Sequence, residues 1–146
     1  GIKINTRWED ITDLNFLSEY DFLESLEIVG SGDFDFSFLL YLKKLKRLSI
    51  SIAGNDRIDL SNQINLESLS IQWRAGKILG LDKCIKITSL CLVNYSEKDF
   101  YPISSLVLLE DLKVKTALIN NCLGIEKLTK LKSILLSNCK KLSSLN

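Results

Sequence analysis

The chain has 146 residues, 46% of them hydrophobic and 25% charged, with a formal net charge of +1. That is one domain's worth of sequence with ample apolar material for a continuous core. Histidine is absent, which removes Ser/His and Cys/His nucleophile pairs and most catalytic zinc sites.

Ile2 and Ile4 alternate like a strand, either a cap or part of a further repeat. Gly1 and the lack of any methionine point to a trimmed start, so a removed leader or a missing flanking domain stays open. Trp8, Ile11 and Leu14 follow at helical spacing and are expected to cover the first repeat. Then a triplet, apolar-x-x-apolar-x-apolar, recurs six times at intervals of 21 or 22 residues. Its copies are Leu23/Leu26/Ile28, Leu45/Leu48/Ile50, Leu66/Leu69/Ile71, Ile87/Leu90/Leu92, Leu109/Leu112/Val114 and Leu131/Ile134/Leu136. A fixed period of that length marks a solenoid, whose units bury their apolar sides against their neighbours.

Upstream of each triplet, apolar residues recur at spacings of three. Six residues before it stand Leu17, Leu39, Leu60, Leu81, Ile103 and Ile125. Three before it stand Tyr20, Leu42, Gln63, Cys84, Leu106 and Leu128, with Ile64 beside the one polar exception. Steps of three that tighten to two predict a helical or 3₁₀ turn followed by a short strand. The return segment has room for one or two helical turns. Leu142 and Leu145 begin another apolar pair, expected to lie over the last repeat.

The phased motif Leu39, Leu42, Leu45, Leu48, Ile50 resembles the leucine-rich repeat family, closest to its 22-residue, internalin-like subclass. The resemblance covers residues 14 to 146. It implies an α/β solenoid of about six repeats, with a curved parallel β-sheet on the concave face and short helical or 3₁₀ turns on the convex one. A single domain over residues 1–146 follows, with a cap or partial repeat at 1–22, repeats at 23–136 and a C-terminal cap at 137–146. One departure stands out. The family's buried Asn or Cys, eight residues after the first leucine, is here Ser31, Ala53, Arg74, Tyr95, Ala117 and Cys139. Only Cys139 fits, so most of the asparagine ladder is missing, and irregular loops are expected.

The four cysteines show no framework spacing. Cys84 and Cys122 fall on inward positions and Cys91 on the outward face of a strand. Small thiols in a reducing compartment are the favoured reading, and the cytoplasm the expected location. No glycine-rich phosphate loop occurs, and no cofactor is implied. Carboxylate neighbours such as Glu110-Asp111 read as solvated surface, so the chain is not expected to be an enzyme. No apolar run approaches the roughly 18 residues of a membrane span, and no secretory signal is visible.

Strand alternation names three exposed rows on the concave side. The first is Ser25, Arg47, Ser68, Ser89, Asp111, Ser133; the second Glu27, Ser49, Ser70, Cys91, Lys113, Leu135; the third Val29, Ser51, Gln72, Val93, Lys115, Ser137. Their middle is small and serine-rich. The candidate partner-binding residues are Glu27, Arg47, Gln72, Trp73, Asp111, Lys113 and Lys115. Trp73 stands where the chain leaves the strand, so it either meets a partner or packs on the next repeat.

Six strands give a face of about 500 Å², against about 800 Å² per partner in a standard interface. A partner is therefore expected to grip loops as well, unless contact is weak or repeats are missing. Charge is unevenly spread: residues 1–42 carry nine acids against Lys3 and Arg7, and residues 112–146 seven lysines against Glu126, giving −7 and +6. Such a dipole steers an oppositely polarised protein. Aromatics do not interleave with the lysines, so neither nucleic acid nor membrane is the expected partner. The expected function is a protein-binding module, an adaptor or a toxin-neutralising immunity protein. The alternative is the recognition fragment of a larger receptor or effector. The sequence leaves the oligomeric state open.

Overall fold

A computed structural model describes residues 1–7 and 11–142. Within them run nine strands: β1 (Ile2–Asn5), β2 (Ser25–Ser31), β3 (Arg47–Ala53), β4 (Ile58–Asp59), β5 (Ser68–Gln72), β6 (Ile78–Leu79), β7 (Ser89–Val93), β8 (Asp111–Lys115) and β9 (Ser133–Ser137). Seven of them form one parallel sheet in the order β1-β2-β3-β5-β7-β8-β9, while β4 and β6 pair as a small ribbon in the return segments. The register Ile2, Leu26, Leu48, Leu69, Leu90, Leu112, Ile134 is unbroken from one edge to the other. Leu26, Leu48, Leu69, Leu90 and Leu112 are each no more than 2% exposed. Ile134 is 42% exposed, because no described strand lies beyond β9. The expected interior column is therefore buried at five of its six positions and open at Ile134, and each buried leucine in it contributes about 2 kcal/mol.

The return segments show why leucines recur at spacings of three. The Leu106 N–H donates to the Ile103 carbonyl at 3.0 Å and the Leu109 N–H to that of Leu106 at 2.9 Å. In such 3₁₀ geometry residues three apart eclipse, so every third side chain faces the core. The turns are Asn15–Glu19, Ser37–Leu40, Leu81–Lys83, Tyr101–Ile103 and Ile125–Lys127.

Where the chain enters each strand, one carbonyl of the preceding coil accepts two N–H groups. Glu24, Lys46, Glu67, Thr88 and Glu110 all do this, at 2.8–3.1 Å. The rule of phase outweighs hydropathy at Gln63, which is fully buried while the adjacent Ile64 is 54% exposed. Its Nε2–H donates to the Leu39 carbonyl, which keeps the in-phase position viable. Tyr20 departs from the expected inward position: it lies at the surface, its ring 6.0 Å from that of Phe22. Cys122 is likewise only half-buried. Trp8 and Leu145, expected to cover the two ends, lie outside the described residues; Leu142 packs against the core.

At three of the six asparagine positions other groups satisfy the loop backbone. Thr6 Oγ1 accepts the Ser31 N–H at 3.2 Å and donates to its carbonyl at 3.3 Å. Arg74, 4% exposed, donates from Nη2 to the Ile52 carbonyl at 2.8 Å and from Nη1 to that of Asp56 at 2.9 Å. Its guanidinium lies 5.5 Å from the centroid of the Phe36 ring. The Tyr95 hydroxyl donates to the Asp99 carbonyl at 2.9 Å. A different device serves each of these three coils.

All four cysteines are free. Burial pushes the Cys84 thiol up to about 12, so it carries almost no thiolate at neutral pH. Titration with a thiol reagent at pH 8 is expected to leave Cys84 unmodified until the protein is denatured. Prompt labelling of Cys84 in the native protein would contradict its burial.

Candidate interaction surface

The outward residues of the sheet form the three predicted rows, because parallel pairing in constant register stacks equivalent positions about 4.8 Å apart. In the second row Lys3, Glu27, Ser49, Ser70, Cys91, Lys113 and Leu135 are successive partners. Its middle is small. The serines and Cys91 there are half-buried by the neighbouring rows, and so are Val29 and Val93 of the third row, read from the sequence as exposed. Leu135, at the last strand, is 50% exposed.

Of the seven candidate residues, four stand exposed on the sheet: Arg47, Asp111, Lys113 and Lys115. Among the described residues none of the four makes an ion pair. Asp111, Lys113 and Lys115 share β8, pointing to one side of it by strand alternation. Arg47 stands three strand spacings away, about 14 Å, across Ser68 and Ser89.

The other three are already engaged or set back. Glu27 forms an ion pair with Lys3 at 3.0 Å, which lowers the charge it offers a partner. Gln72 is half-buried at the end of β5, beside Val93. Trp73 packs on the next coil, with its ring 4.9 Å from that of Tyr95 and its Nε1–H donating to Glu97 at 2.9 Å. Burial pushes the Tyr95 phenol up, and the nearby Glu97 and Asp99 carboxylates push it further.

The strand exits add a feature the rows did not foretell. Asn94, Thr116 and Asn138, one per coil, hold left-handed backbone with φ of 57°, 54° and 56°. Asparagine tolerates this region and β-branched threonine does not. Thr116→Asn is expected to stabilise the chain by about 0.5–1 kcal/mol, seen as a higher thermal midpoint; a lower midpoint would contradict strain there.

Comparison with solved structures places this geometry. Internalin C2 from Listeria monocytogenes superposes with a TM-score of 0.70 over 89% of this chain, at 20% sequence identity. The fold is a leucine-rich repeat solenoid. The chain spans 58% of the length of that internalin C2 chain. No protein-family model matches the sequence, and no curated protein does.

Proposed function

We propose that the chain is a non-catalytic module that binds one protein partner through its concave face and repeat loops, as an adaptor or a toxin-neutralising immunity protein. The observation that carries this reading is the open face itself. Its serine-rich middle admits close approach of a partner backbone, while Arg47, Asp111, Lys113 and Lys115 stand around it without intramolecular ion pairs among the described residues. Arginine is among the residue types enriched at binding hot spots. No cofactor is needed. The four free thiols support a cytoplasmic setting.

Recovery of the partner from native lysate, followed by affinity measurement with purified proteins, tests this. Arg47→Glu together with Lys113→Glu is expected to weaken binding at least about tenfold, roughly 1.4 kcal/mol. Lys44→Glu, in a return segment away from the rows, is expected to leave it unchanged. Equal affinities for all three proteins would remove the concave face from the interface. Association is also expected to slow as salt rises, because the charge asymmetry steers encounter.

A second reading is favoured by the greater length of the matched internalin C2 chain. In it, these repeats are the recognition segment of a longer receptor or effector. The length of the open reading frame separates the two.

A further inference from the structure

Where β7, β8 and β9 leave the sheet, an open pocket of about 400 Å³ lies between the left-handed residues and the loops that follow. Its lining includes Ser96, Thr116, Ala117, Leu118, Lys140 and Lys141. Leu118 is 48% exposed, so about half of this large apolar side chain is open to solvent. Neither lysine forms an ion pair with a described carboxylate. The two acids that follow Ser96 are held elsewhere: Glu97 accepts from Trp73 Nε1–H at 2.9 Å, and Asp99 accepts the Tyr101 N–H at 3.0 Å. Lys115 ends β8 in the third row, directly before Thr116, so the pocket lies next to the sheet face.

We propose that this rim pocket anchors an acidic segment of the protein partner, with one apolar side chain against Leu118 and Ala117 and flanking carboxylates against Lys115, Lys140 and Lys141. The inference rests on the protein-binding reading and adds the chemistry of what is bound. An apolar wall beside unpaired cations matches the anchor-and-rim pattern of protein interfaces. The charge supports the same choice, since residues 112–146 sum to +6, so an acidic segment is attracted and a basic one repelled. A small anion alone would leave the apolar wall uncovered. Nucleic acid would find no stacking platform, because Tyr95 is fully buried.

The test is a titration of the ¹⁵N-labelled chain, followed by NMR, with three synthetic peptides. One is rich in Glu and Asp around a single phenylalanine; one replaces that phenylalanine by alanine; one replaces the acids by lysine. The acidic phenylalanine peptide is expected to shift the amides of Asn94–Ser96 and Thr116–Leu118. Binding is expected to be at least about fivefold weaker without the phenylalanine or with Leu118→Glu, and at least about tenfold weaker for Lys140→Glu with Lys141→Glu. Shifts confined to the Arg47 and Lys113 rows, equal binding of the lysine peptide, or no shift with any peptide would each overturn the proposal. Capture of the native partner that survives Lys140→Glu/Lys141→Glu but fails with Arg47→Glu/Lys113→Glu would remove the pocket and leave the protein-binding reading standing.

Discussion

Replacing Arg74 by methionine is expected to destabilise the chain by about 3 kcal/mol. Methionine fills similar space, so packing is nearly kept. What goes is the donor pair that satisfies the Ile52 and Asp56 carbonyls. A buried acceptor left without a partner costs about 1–3 kcal/mol, and contact with the Phe36 ring adds up to about 1 kcal/mol. Burial lowers the guanidinium's affinity for its proton, while Asp56 and Asp33 oppose that shift; the group stays charged at any working pH. Arg74→Lys keeps the charge but cannot span both carbonyls, so its stability is expected between those of the other two. Urea unfolding checks the order. A methionine variant as stable as the parent would show that relief of desolvation outweighs the lost hydrogen bonds, as happens for some buried ion pairs.

The second large effect is expected at Gly124→Ala, again about 3 kcal/mol. Gly124 has φ of 94°, a conformation that residues with side chains rarely adopt. An added Cβ would also stand 2.7 Å from the backbone of Phe100 and Tyr101 in the preceding coil. Strained backbone costs about 1–2 kcal/mol and forced overlap about 1–3 kcal/mol, and here the obstacle is main chain rather than a movable side chain. In a solenoid each coil is held by its neighbours. Hydrogen exchange is therefore expected to accelerate most in β9 and the turn at Ile125–Lys127. A uniform change across all strands would argue for one cooperative unit instead.

These two sites mark the boundary of what the sequence disclosed. The strands, their register and the facing of each row follow from period-two and period-three spacing alone, so Arg47, Asp111, Lys113 and Lys115 could be placed before any coordinates. Gln63 obeyed the phase against its own hydropathy. The loops were not legible, because their backbone groups are satisfied by unlike residues at each coil: Thr6 for Ser31, Arg74 for the Ile52 carbonyl, Tyr95 for Asp99. No fixed spacing encodes such substitutions. Trp73 shows the same limit: its position allowed either role, and only the Tyr95 ring and Glu97 reveal that it is held by the next coil. The rim pocket was not legible, since its parts come from three successive coils and share only the left-handed backbone of Asn94, Thr116 and Asn138. An asparagine in two of those three positions was the one available signal.

Everything assigned to the concave face depends on strand register, since a slip of one residue would turn Arg47 and Lys113 into the core. Interstrand backbone NOEs in a ¹⁵N,¹³C-labelled sample measure that register directly. Contacts linking Glu27, Ser49, Ser70, Cys91, Lys113 and Leu135 in succession are expected. Contacts displaced by one residue at any strand, or antiparallel in pattern, would contradict it.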